Sequence, residues 1–128
     1  SLGRKLLLRV RGVMLPPEGT VAPDAPLRDV VVTLARHRGI AMVATGHRLE
    51  GVFTAGDLTR LAQREAEYLD RAVCDHMTRT PRTCSPDDAG AVVVGVMERH
   101  GVMALPVIEH ERVVGVVHLH DLLRAGAV

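Results

Sequence analysis

Gly51-Val52-Phe53-Thr54-Ala55-Gly56-Asp57-Leu58 and Gly115-Val116-Val117-His118-Leu119-His120-Asp121-Leu122 are two versions of one pattern, and their recurrence decides the fold. Each runs from an apolar, largely β-branched stretch into a segment with helical spacing. A strand that ends where a helix starts leaves backbone N–H groups unpaired and turns the positive end of the helix dipole outward, which suits an anion. A hydroxyl at the turn and a carboxylate three residues on could then hold a phosphate and a ribose.

The repeat widens outward from these stretches. A shift of 63 residues superposes Met14 on Met77, Thr20 on Thr83, Pro23-Asp24 on Pro86-Asp87, Val30-Val31 on Val93-Val94 and Arg36-His37 on Arg99-His100. The shift becomes 62 between Gly39 and Gly101 and 64 between Gly51 and Gly115, so insertions and deletions fall where loops belong. Two copies fall short of the roughly three that a solenoid needs, and they imply a pseudo-twofold pair.

In the first copy Asp24 is a candidate N-cap. Leu27, Val30, Val31 and Leu34 then mark an amphipathic helix that ends near Gly39. Residues 40–44 read as a buried strand, Thr45-Gly46-His47-Arg48 as a tight turn and residues 49–54 as the returning strand. Leu58, Leu61 and Ala62 define the face of a second helix. The second copy repeats the order, with Asp87 as cap, a helical face of Ala89, Val93, Val96 and Met97, and strands at 103–108 and 113–118 around the turn Glu109-His110-Glu111-Arg112. Each copy is thus βαββα. A unit of about 55 residues is marginal alone, so the two are expected to pack sheet against sheet.

Composition narrows the function. The chain has 128 residues, 47% of them hydrophobic, with Phe53 and Tyr68 as its aromatics, so its core must be aliphatic. Stacking platforms for single-stranded nucleic acid are therefore lacking. The balance of 16 basic against 15 acidic residues argues against binding by phosphate neutralisation. Cys74 and Cys84 form neither a disulfide framework nor a metal spacing, and no secretory signal or long apolar run is present, so a cytoplasmic setting with no membrane contact is expected. Residues 1–15, basic and apolar without a clear period, read either as a connector from an absent upstream domain or as an ordinary helix end.

The opening Met, the Thr-x-x-Pro-Asp entry and the closing Gly-φ-φ-Thr-x-x-Asp resemble a CBS domain, and two in tandem resemble a Bateman module. Residues 16–69 and 70–128 would be the two domains. Residues 2–10 and 118–126 are similar to the CBS tail of bacterial D-arabinose 5-phosphate isomerases, in which a sugar isomerase domain precedes the pair. The resemblance implies an α/β fold, no catalysis by this fragment, and homodimers through the pair, with tetramers in a full-length enzyme. It also implies an effector nucleotide or nucleotide sugar held in clefts between the copies, and no other cofactor. Thr54 would meet phosphate and Asp57 ribose hydroxyls. Because that family serves synthesis of the lipopolysaccharide sugar Kdo, CMP-Kdo is the leading candidate. Two departures stand out: His118 replaces the usual hydroxyl residue, and Ala55 replaces the Asp usual in the isomerase family.

Further ligand-binding candidates are His118, His120 and Asp121 at the second turn, Val21, Pro81 and Met103 around a base, and Arg79 and Arg82 as bidentate partners for phosphate or carboxylate. Residues 54–57 equally fit a capping box. Met42, Met97 and Met103 read first as core fillers. His118 and His120, two apart in an extended segment, would share a face as metal ligands do, and Asp121 completes a His-x-His-Asp, but no further ligand cluster stands elsewhere in the sequence and no metal is expected. The rival functions are an oligomerisation module without a ligand and a small metal-dependent hydrolase built on the two histidines.

Overall fold

The computed structural model describes residues 7–127; the first six residues of the expected connector, and most of the stretch matched to the isomerase tail at that end, lie outside the described residues. The chain divides into two units. One is Glu18–Pro81, and the other joins the stretch up to Pro17 to the residues from Arg82 onward.

In the first unit β1 (Thr20–Val21) runs parallel to β2 (Ile40–Thr45), and β2 pairs antiparallel with β3 (Arg48–Thr54). Helix α1 (Leu27–Arg36) precedes β2, and α2 (Ala55–Arg64) follows β3 directly. Leu27, Val30 and Leu34, on one face of α1, meet Ala41 and Val43 of β2, Phe53 of β3, Leu61 of α2 and Val73 in one apolar cluster. The first five residues of β2 are all buried, the pattern of a strand covered on both faces. Thr45 and Arg48 close a two-residue hairpin, in which Gly46 supplies the positive φ of +60° that the turn requires. Ala62 is exposed, contrary to the expected helix face: α2 is a mostly polar helix held by Leu61 and the half-buried Leu58.

The second unit repeats the plan with α3 (Gly90–His100), β4 (Ala104–Glu109), β5 (Arg112–His118) and α4 (Leu119–Arg124). Its core joins Val93, Val94 and Met97 of α3 to Leu105, Val107, Val117, Leu119 and Leu122. The counterpart of β1 shrinks to one residue, Cys84, bridged in parallel to Val107. The side chains of Ser85 and Asp88 accept from nearby backbone amides and turn the chain away at once (Ser85 N to Asp88 Oδ2, 2.9 Å; Asp87 N to Ser85 Oγ, 3.3 Å). The β4–β5 turn holds His110 and Glu111 both at positive φ, 52° and 64°. That twist matches the flanking strands but costs about 1 kcal/mol per non-glycine residue.

The segment before each copy belongs to the other copy's body. Residues 9–15, which include a 3₁₀ turn at Val10–Gly12, hydrogen-bond to the second unit through Val10 N to Asp88 O (3.0 Å), Arg11 N to Pro86 O (2.9 Å) and a mutual pair between Leu15 and Val116 (2.8 and 3.0 Å). Residues 72–78, with a 3₁₀ turn at Val73–Asp75, repeat this in the first unit: Val73 N to Ala25 O (2.9 Å), Cys74 N to Pro23 O (3.0 Å) and a pair between Thr78 and Val52 (2.9 and 3.0 Å). Arg11 adds ion pairs to Asp87 (3.2 Å) and Glu109 (2.9 Å).

This exchange corrects both expected helix caps. Pro26 and Ala89, not Asp24 and Asp87, occupy the N-cap positions, and neither caps with a side chain. Backbone carbonyls just ahead of the inserted segments take the first amides instead, with Leu27 N bonded to Arg71 O, Arg28 N to Leu69 O and Gly90 N to Leu8 O. Asp87 is left exposed for Arg11.

The exchange also explains the leading glycine of each motif. A Cβ on Gly51 would sit 2.5 Å from the Thr78 carbonyl oxygen, and one on Gly115 2.5 Å from that of Leu15. Gly51→Ala and Gly115→Ala are each expected to destabilise their own unit by about 1–3 kcal/mol, read as a fall in the thermal or urea midpoint. An unchanged midpoint in both would contradict the close approach.

Candidate functional site

Each strand-to-helix turn is fixed by backbone bonds before any side chain acts. Ala55 N donates to Gly39 O (2.9 Å), and Leu119 N donates to Met103 O (2.9 Å), so the residue opening each helix is tied to the start of the neighbouring strand. Gly39, at φ +88°, tolerates the left-handed backbone this demands.

At the first turn Thr54 is the N-cap of α2. Its Oγ1 accepts from Asp57 N (3.2 Å), while Asp57 Oδ2 accepts from Thr54 N (2.9 Å), a complete capping box. The other carboxylate oxygen, Oδ1, accepts from Arg60 at 2.6 Å. Arg60 also lies over the first helical turn, since a Cβ on Gly56 would meet its guanidinium at 3.4 Å. Hydroxyl, carboxylate and guanidinium therefore converge within one helical turn. Arg60 is not among the candidates named from the sequence, although its spacing of three from Asp57 is the signal of a helical ion pair.

The second turn is built differently. His118 ends β5 and takes the N-cap position of α4 without a side-chain capping bond, and it is buried, 6% exposed. Asp121 is half-buried in the first turn of α4. His120 lies inside α4 and is exposed, which corrects the expectation that the two histidines share a strand face: the helix begins at Leu119, between them. Among the described residues no group of three or more His, Cys, Asp or Glu side chains is placed to hold a metal ion.

The remaining candidates are spread along the chain. Val21 is half-buried in β1 and Pro81 half-buried at the end of the first unit. Arg79 is exposed and donates to the Cys74 carbonyl (2.9 Å), and Arg82 is exposed. Met42 and Met97 are core residues, but Met103 is 61% exposed and does not fill the core. Its carbonyl sits at the His118–Leu119 junction, so of the outlying candidates it is tied to a turn by a hydrogen bond.

The CBS-domain family profile matches residues 10–64 and again residues 73–128. The chain belongs to the CBS-domain family. Along its whole length this CBS pair is 36% identical to arabinose 5-phosphate isomerase KdsD of Yersinia pestis, and it spans 40% of that relative. Among solved structures it resembles the CBS pair of protein MJ0100 in complex with 5′-methylthioadenosine and S-adenosyl-L-methionine, with TM-score 0.80 and 23% identity over 91% of this chain and 98% of that one. It also resembles the CBS domain of a bacterial CNNM/CorC family Mg2+ transporter in complex with ATP, with TM-score 0.77 and 24% identity over 97% of this chain and 90% of that one.

Cysteine chemistry has no part in this site. Both thiols are free, Cys74 half-buried and Cys84 buried. Burial, and after it the charge of Asp88, pushes the Cys84 thiol from 9.0 to about 12. Its contribution to stability is therefore full below pH 9.0 and is lost as pH rises toward about 12, because the unfolded chain ionises first. Near pH 8 Ellman's reagent should titrate Cys74 in the native CBS pair and Cys84 only after denaturation; rapid native reaction of both would contradict the burial. Thr54→Ala should cost about 1 kcal/mol through loss of the capping box, seen as a lower urea midpoint.

Proposed function

We propose that this CBS pair senses a nucleotide or nucleotide sugar and regulates a sugar-phosphate isomerase of the KdsD type, with CMP-Kdo the leading candidate ligand. The observation that carries the reading is the twofold occurrence of a strand-to-helix turn with a carboxylate at the third helical position, Asp57 and Asp121, in a chain of the CBS-domain family. The ligands named for MJ0100 and for the CNNM/CorC protein support the chemical class, and the KdsD relative supports the enzyme.

Thr54 faces phosphate at the first turn, and Asp57 accepts from ribose hydroxyls once Arg60 yields or shares its oxygen. His118 and Asp121 take the same parts at the second, with His120 at its rim. Val21 and Pro81 give apolar contact in the first unit and Met103 in the second, while Arg79 and Arg82 supply cations for a second acidic group. Binding that differs between two conformations of the pair shifts their populations, and that shift is the regulatory signal. The pair works as a homodimer in the cytoplasm.

Isothermal titration of the intact chain with ATP, S-adenosylmethionine and CMP-Kdo tests this. At least one should give saturable heat, and Asp57→Asn or Asp121→Ala should weaken it by about tenfold or more, the worth of a charge-assisted hydrogen bond. Silence across the panel, with a stable dimer in sedimentation, would establish the oligomerisation module instead.

A further inference from the structure

The geometry points to residues 9–15 as the output element of the second copy, so that events at residues 118–121 are transmitted to the segment that precedes the first copy. Leu15 and Val116 exchange two backbone hydrogen bonds, 2.8 and 3.0 Å, and Val116 stands two residues before His118 on the same strand. Gly115 lets the Leu15 carbonyl approach to a distance no Cβ would allow, so the segment cannot slide along β5 without losing this fit. The other end of the segment is fastened where α3 begins, by Val10 N to Asp88 O and Gly90 N to Leu8 O. Arg11 fastens its middle to Asp87 and to Glu109 of β4. A shift of β5 at His118 must therefore move residues 9–15 or break several bonds at once.

The same construction ties residues 54–57 to a different segment, because Val52, two residues before Thr54, pairs with Thr78. The two turns are thus wired to two different stretches of chain. The second turn acts on residues 9–15 and the first on residues 72–78, the link between the copies. This deepens the sensing reading by assigning each site its own output, and in its ligand-dependent part it rests on that reading.

Coupling is reciprocal, so it can be tested without a ligand. Leu15→Pro removes the amide that donates to Val116. In hydrogen exchange of the intact chain it should speed exchange at residues 116–119 by about tenfold while leaving residues 52–55 unchanged. Arg11→Ala, which leaves the backbone ladder whole, should give a rise of about twofold to fivefold at the same residues. Unchanged exchange at 116–119 in Arg11→Ala, or in a Leu15→Pro chain that keeps its circular dichroism, overturns the proposal.

With CMP-Kdo or ATP present, binding that Asp121→Ala weakens should protect residues 9–15 by about tenfold. Heat in the titration without that protection overturns the coupling and leaves sensing intact. Absence of heat overturns sensing and leaves the coupling to the two variants.

Discussion

Both units depend on a pair of backbone hydrogen bonds between an inserted segment and the strand that leads into the ligand-type turn, Leu15 with Val116 and Thr78 with Val52. Each bond is worth only about 1 kcal/mol net, but unsatisfied helix amides cost more. Carbonyls just ahead of the same segments, those of Leu8, Leu69 and Arg71, accept from the first amides of α1 and α3. Gly51 and Gly115 stand in β3 and β5 because a side chain there would meet a carbonyl oxygen. The glycine that opens each motif is thus a clearance for the neighbouring chain, three residues ahead of the turn it prepares.

The two turns have one origin and different chemistry. Thr54 and Asp57 satisfy each other in a capping box, and Arg60 takes the spare carboxylate oxygen, so a ligand there must share groups already engaged. At the second turn a buried imidazole replaces the hydroxyl, and no side chain caps from the N-cap position. The first turn is thus a hydroxyl and ion-pair surface, and the second carries a buried imidazole at the same position.

Much of this was legible in the sequence because the duplication doubled every weak signal. The spacing of Leu27, Val30 and Leu34 gave α1, the tight turn at Gly46 between two apolar runs gave the first hairpin, and residues 54–57 gave a capping box that is present in full. What was not legible came from contacts between residues far apart in the chain. Asp24 and Asp87 look like caps locally, and only the arrival of residues 69–71 and of Leu8 at the helix starts displaces them. His120 extends the strand by spacing alone, but the helix begins one residue earlier, at Leu119. Residues 9–15 carry no clear period because, apart from one 3₁₀ turn at Val10–Gly12, they lie along the edge of another element.

The exchanged segments also impose an order on synthesis. The unit Glu18–Pro81 is contiguous, so every contact it needs is present once Pro81 has cleared the ribosome. The other unit cannot close at that stage, since residues 9–15 emerge before the first unit and their partners, from Pro86 to Val116, come only after it. Through that interval an apolar stretch around Val10 and Val13 waits without its cover, which is the period when a chaperone or a neighbouring nascent chain has access to it.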